Sequence, residues 1–290
     1  MIEKLIKKTK EYLKDNNINL IRDLDVFLRA TTSINLNLYL FLKDEVLLEE
    51  VVFIKNLYSV WNAYVDDEMD NMKTKTALDS SLLFLVSLNN NNDPSVTILN
   101  TILDTLEDRN KELVILDLLE VINGFNYEYY INLNNKVANS IEYEKYSTVT
   151  AGAMVYLDID AIYSDSDIDN SLYRNLRVSY DYYAKSIKYA SDISGIEREL
   201  KEENSLNIVV ITAIEKGIIT YEEFNNSKLN SEQILTKLRP ILDSITKKSL
   251  DFMNEAEKYL SQIETIDRMR VSLTYKKVIE TYLTQKDNFF

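Results

Sequence analysis

The segment Trp61-Asn-Ala-Tyr-Val-Asp-Asp-Glu-Met-Asp70 decides how this chain reads. It closes a long apolar run in which Leu47, Val51, Ile54, Tyr58, Trp61 and Val65 recur on neighbouring helical turns. Acid arrives only at the end of that run. Asp66 and Asp70 are four apart and Asp67 and Asp70 three apart, so on a continuous α-helix the three carboxylates crowd one side. Three acids beside a buried, aromatic stretch demand a cation. Hard oxygen donors of this kind suit Mg2+, which keeps several waters and is often shared with substrate phosphates. The competing reading is a solvated acidic helix end, in a chain whose net charge is −14.

Helical spacing of apolar residues recurs almost throughout the 290 residues, and only 4 glycines and 2 prolines punctuate them. Repetitive β architectures need many more turns. We read one all-α domain over 1–290 with ten or more helices and no internal repeat. Asn89-Asn-Asn-Asn-Asp-Pro94 marks a loop, and Val96 to Leu106 is helical. Gly124 is expected to break a helix pair. A helix opens at Asn139-Ser-Ile-Glu-Tyr143 and runs through Gly152 to about Ile162. Ser164-Asp-Ser-Asp-Ile-Asp-Asn170 is a polar loop, followed by one long helix from Leu172 to about Glu203. Thr220-Tyr-Glu-Glu223 fits a capping box. Pro240 kinks the next helix or marks its start. A last helix covers about 267–283.

Composition narrows the chemistry. With His 0 and Cys 0 there is no imidazole base, no thiolate nucleophile and no His- or Cys-ligated metal. Catalysis would have to run on carboxylates, Tyr, Lys, Arg and a bound ion. The acidic balance argues against nucleic acid as a partner. No apolar run approaches the length of a membrane span, and the lysine-bearing N-terminus lacks the apolar core of a signal peptide. The expected compartment is the cytoplasm.

A second constellation stands late in the long helix: Ser191-Asp-Ile-Ser-Gly-Ile-Glu-Arg-Glu199, with Ser191, Gly195 and Glu199 spaced four apart on one stripe. Paired with the first cluster, it suggests two helices facing each other across a cleft, each supplying oxygen ligands. Here the chain resembles the microbial class I terpene synthases. Asp66-Asp-Glu-Met-Asp70 is similar to their DDxxD motif, and Ser191–Glu199 to their NDxxSxxKE motif. Asn207-Ile-Val-Val, Gly217 ahead of the capped helix, and Ile141-Glu-Tyr143 followed by Thr150-Ala-Gly152 continue the likeness over about 40–280.

The resemblance implies a single α-helical bundle of the class I terpenoid synthase type with a central active-site cavity. It implies three Mg2+ ions held by Asp66, Asp67, Asp70, Ser191, Gly195 (through a water) and Glu199. Gly152, through its carbonyl, would be the effector position with Ala151 as its linker, and Tyr275 would be the retained member of a C-terminal Arg-Tyr pair. Arg198, Arg270 and Lys145 are the candidate diphosphate-binding cations, and Asn62, Ala63, Thr148 and Ala151 the candidate pocket residues. The implied reaction is ionisation of a prenyl diphosphate and cyclisation of the cation to a hydrocarbon or alcohol, by a monomer or homodimer. Small residues at Asn62 and Ala63, where an aromatic is common in the family, favour geranylgeranyl over farnesyl diphosphate. This chain also departs from the pattern. Ser191 replaces an Asn or Asp, Thr148 stands at the diphosphate-sensing Arg position, and Thr274 replaces the Arg beside Tyr275. Three alternatives follow: a head-to-head squalene- or phytoene-type synthase, a chain-elongating synthase, or a non-catalytic helical protein of this fold.

Overall fold

The apolar run ahead of the aspartates forms one helix, α3 (Glu45–Asp67). Val51, Ile54, Leu57, Val60, Trp61 and Val65 are all buried, so the helix is apolar on nearly every side and other helices surround it. The Trp61 indole N–H, fully inside, donates to Ser81 Oγ at 3.0 Å. This computed structural model describes residues 1–40, 45–87, 91–106, 111–133, 138–164, 168–264 and 266–284.

Around α3 stand α1 (Ile2–Asp15), α2 (Leu24–Asn37), α4 (Thr76–Ser87), α5 (Pro94–Thr105) and α6 (Glu112–Leu133). Then follow α7 (Ser140–Tyr146), a 3-10 turn (Thr148–Ala151), α8 (Ala153–Ile162) and α9 (Asn170–Arg198). The chain closes with α10 (Ile208–Glu215), α11 (Tyr221–Asn225), α12 (Ser227–Ser261) and α13 (Arg268–Thr284). Among the described residues there is no strand. One core surrounds α3, a second gathers α10 and α12 against α9, and a third joins α8, α9, α12 and α13. Both α9 and α12 contribute to two of these cores.

Several boundaries differ from expectation. Gly124 lies inside α6 without breaking it; a Cβ there would come within 2.6 Å of Val149 Cγ2 and 2.8 Å of the Tyr146 carbonyl, so the glycine permits close packing rather than a turn. The helix expected through Gly152 is instead interrupted by the 3-10 turn and by Gly152 itself, at φ 67°. Pro240 sits within α12, which continues past it. Of the predicted loops at 89–94 and 164–170, residues 89–90 and 165–167 lie outside the described residues. Thr220 and Glu223 do form the capping box, with Glu223 N donating to Thr220 Oγ1 at 3.1 Å. No helix among the described residues is long and apolar enough to cross a membrane.

Candidate active site

A cavity of about 280 Å³ opens between α3 and α9. From α3 come Ser59, Asn62, Ala63 and Asp66, one stripe at helical spacing. From α9 come Ile187, Lys188, Ser191, Ser194, Gly195 and Arg198, and Glu199 follows at its C-cap. The cavity thus brings together Asp66 with Ser191, Gly195 and Glu199, and it includes the predicted pocket residues Asn62, Ala63 and Ala151 and the predicted cation Arg198.

Of the three aspartates, Asp66 lines the cavity. After Asp67 the backbone winds as a π-helix over Glu68–Met72. A π turn closes i→i+5 and widens the helix there. Asp66 faces the cavity, whereas Asp67 turns into the protein and Asp70 falls outside the lining. Asp67 accepts from the Arg22 guanidinium through Nε at 3.1 and 3.2 Å, from its Nη2, and from Ile21 N–H at 3.3 Å. Arg22 also reaches Asp66 at 3.2 Å and lines the cavity.

The second acidic motif ends the same way, in a π segment over Glu199–Glu203. The Glu199 carboxylate folds back over Gly195, where a Cβ would lie 2.6 Å from Glu199 Oε1. Glycine at that position makes room for the carboxylate. Asp192 points away from the cavity, accepting from Tyr143 Oη at 2.8 Å and from Ile208 N–H at 3.1 Å. The cavity's donors on the two walls are the Asp66 and Glu199 carboxylates and the Ser191 hydroxyl, all hard oxygens. Among the described residues no group of three or more acidic side chains converges. Such a set suits a hard cation that keeps part of its water shell.

Lys188, three residues before Ser191, also lines the cavity. Its ammonium lies 2.9 Å from Glu128 and 3.5 Å from Asp192. Burial opposes its charge, but Glu128, Tyr143 and Asp192 outweigh burial and hold its pKa well above the ordinary lysine value. Burial raises the Glu128 pKa, with Lys188 and the Ser147 hydroxyl opposing. Glu128 also accepts from Ser147 and Thr150, so one buried network joins α6, the 3-10 turn and α9.

The remaining candidates fall elsewhere. Gly152 ends the 3-10 turn in the left-handed region, its N–H donating to Val149 O at 2.9 Å. Thr148 is buried, with its hydroxyl bonded to the Glu144 carbonyl at 2.8 Å, and does not line the cavity. Lys145 is exposed and sits against Tyr146, with its ammonium 3.0 Å from that hydroxyl. Arg270 stacks 3.7 Å over the Tyr39 ring and donates to its carbonyl at 2.6 Å, away from the acidic walls. Tyr275 stacks on Tyr183 at 4.0 Å and lines a smaller hollow of about 130 Å³ beyond the main cavity. Burial raises its pKa.

Sequence reasoning missed Arg22, Lys188, Phe27, Phe125, Tyr156 and Tyr282. Lys188 was legible, since 188, 191, 195 and 199 share one helical stripe. Phe27, Phe125, Tyr156 and Tyr282, from four other helices, line the same cavity as Asn62 and Ala63.

No family model and no curated protein sequence matches the chain. Solved structures do. Linalool/nerolidol synthase from Streptomyces clavuligerus, in complex with 2-fluorogeranyl diphosphate, matches at 8% identity and TM-score 0.64, over 97% of this chain and 96% of that one. 2-Methylisoborneol synthase from Streptomyces coelicolor A3(2), in complex with Mg2+ and 2-fluoroneryl diphosphate, matches at 10% and 0.68, over 100% and 94%. Geranylgeranyl pyrophosphate synthetase from the archaeon Geoglobus acetivorans matches at 14% and 0.56, over 98% and 99%. At these identities the likeness establishes the fold, the all-α bundle expected from the sequence.

Proposed function

We propose that this protein ionises a linear prenyl diphosphate, breaking the bond between its allylic carbon and the diphosphate oxygen. The observation that carries this reading is the meeting of Asp66 from α3 with Ser191 and Glu199 from α9 across one cavity, beside Arg22, Lys188 and Arg198. Oxygen donors and cations stand together there, as a metal-bound polyanion requires. Asp66, Ser191 and Glu199 would hold Mg2+, which when bound neutralises diphosphate charge and makes it a better leaving group. Arg22, Lys188 and Arg198 supply charge complementary to diphosphate. The aromatic rings of Phe27, Phe125, Tyr156 and Tyr282 offer π faces to a cation.

The main cavity of about 280 Å³ adjoins the hollow of about 130 Å³ through shared residues, and the prenyl chain would occupy the end of this space away from the acidic groups.

The test is release of inorganic diphosphate from geranyl, farnesyl and geranylgeranyl diphosphate with Mg2+ and with a chelator. Release is expected with Mg2+ only. Asp66→Ala should lower it by more than about 100-fold, whereas Ser191→Asn should remain active at a lower Mg2+ requirement. Full activity of Asp66→Ala would refute the assignment.

A further inference from the structure

We infer that the Arg22 guanidinium takes the place of a metal ion on the Asp66 wall, so that diphosphate is held by Arg22 together with fewer than three ions; this rests on the ionisation reading above. The resemblance implies six residues for three ions, and the structure does not leave all six to that task. Asp67 is engaged by Arg22, Asp70 falls outside the lining, and Gly195 has no side-chain donor. Each wall presents one carboxylate to the cavity, Asp66 from α3 and Glu199 at the end of α9, where the Asn207 amide donates to it.

Arg22 stands in the short stretch between α1 and α2, which is fixed at both ends. Ile18 N–H donates to Leu13 O at 2.9 Å, and the Asp23 carboxylate caps α2 by accepting from Asp25 N–H at 2.9 Å and Val26 N–H at 3.1 Å. The guanidinium lies 5.6 Å over the Phe27 ring. Both Asp67 oxygens accept from it, and one also takes the Ile21 N–H. The Arg22 and Asp67 side chains are 17% and 11% exposed, whereas Asp66 is 42% exposed and meets Arg22 only through Nη2, at 3.2 Å. Asp67 is therefore the anchor, and Asp66 stays open to an ion from the cavity.

Arginine has five N–H donors. Nε and Nη2 give three of them to the two aspartates. Among the described residues nothing takes the two on Nη1, and Arg22 lines the cavity. A fixed charge with paired N–H donors matches the oxygens of a phosphate group. Two carboxylates and one guanidinium leave this wall a single negative charge, which suits one hydrated divalent ion better than two. The other groups near by are of mixed sign. Tyr282 of α13 stands where Arg22 and Asp66 act on its hydroxyl in opposite directions, and Lys188 and Arg198 line the α9 wall.

The experiment counts Mn2+ bound per chain by electron paramagnetic resonance in the presence of geranyl S-thiolodiphosphate, whose sulfur bridge resists ionisation. The parent is expected to bind no more than two ions, and Arg22→Met one more than the parent, because that variant frees Asp67 for a metal. Arg22→Met combined with Asp67→Asn removes both buried charges and frees no carboxylate. It should bind no more ions than the parent and hold the analogue about tenfold or more weakly, the effect of losing hydrogen bonds to a charged group. The parent and this double variant decide the matter if Arg22→Met does not fold. Three ions in the parent, or an unchanged analogue affinity in the double variant, overturns the inference. Diphosphate release from geranyl diphosphate with Mg2+, measured alongside, separates the two readings. Release by a parent that binds three ions overturns the role of Arg22 and leaves ionisation standing. A weakened double variant whose parent releases no diphosphate overturns ionisation and keeps Arg22 as the cation of a diphosphate-binding site. A parent that binds no Mn2+ overturns both.

Discussion

Gly152 and Gly217 have nearly the same backbone, φ 67° and 65°, and different surroundings. A Cβ at Gly152 would sit 2.0 Å from Tyr58 Oη and 2.8 Å from its Cζ, whereas at Gly217 it would meet nothing within 4 Å. The left-handed conformation costs an L-residue roughly 1–2 kcal/mol, and forcing atoms into a packed core adds about 1–3 kcal/mol. Gly217→Ala should therefore lower the free energy of unfolding by about 1 kcal/mol, and Gly152→Ala by about 2–5 kcal/mol. Urea denaturation of both variants checks the difference, and equal losses would mean that Tyr58 yields easily. The effector role expected for Gly152 is a separate matter, and at this scale the residue is first a packing requirement beside α3.

At the scale of elements, the two acidic motifs share a device. Each α-helix ends in a π turn closed by a left-handed non-glycine, Lys73 at φ 54° and Asn204 at φ 57°. The first follows directly on Asp67 and contains Asp70, and the second begins at Glu199. A different polar cluster ties α6, α8 and α9 behind the cavity. Arg177 grips Asp117 with two bonds of 2.7 and 2.8 Å and reaches Asp158 at 3.3 Å, while the Tyr173 hydroxyl donates to Asp158. Burial, together with the neighbouring Asp117, pushes the Asp158 carboxyl from 3.8 up to about 8. The folded state thus keeps a proton that the unfolded chain has lost. Its stabilisation is fully present below the unfolded value and disappears as pH rises through the folded one. Between pH 5 and 8 stability should fall by up to about 1.4 kcal/mol per unit. Asp158→Asn, a neutral isostere, should flatten that slope in melting temperatures measured from pH 5 to 9. An unchanged slope would place the proton on another group.

At the scale of the whole molecule, the core holds a fully buried ion pair, Lys55 of α3 with Asp160 of α8 at 2.5 Å. Burial lowers the Lys55 pKa and raises that of Asp160 to about 6, each partner opposing the shift of the other. Desolvation makes such a pair weak support on balance, yet removing one partner strands a charge in the core. Lys55→Met should cost about 3–5 kcal/mol, and Lys55→Met with Asp160→Leu should recover most of it. The loss in the single variant should be smaller at pH 5 than at pH 8, because a protonated Asp160 sheds the stranded charge. Denaturation of both variants at the two pH values tests this, and a single variant as stable as the parent would remove the pair from the account of the core.

Helical periodicity and the scarcity of glycine and proline were enough to read the all-α fold, because a helix face is a local property of spacing. The same local logic made the α9 stripe of Ser191, Gly195 and Glu199 legible, and it would have found Lys188. It does not separate Asp66, which lines the cavity, from Asp67, which is bonded to Arg22, or Asp70, which falls outside the lining. It could not find Arg22, which is 44 residues from Asp66 and meets it only through the packing of α2 against α3. It could not supply Phe27, Phe125, Tyr156 and Tyr282, which reach the cavity lined by Asn62 and Ala63 from other helices. The sequence by itself determined the helices and the stripes of oxygen donors. Tertiary structure alone decided which stripes face each other, which cations join them and how much room is left, since these depend on contacts between residues far apart in the chain.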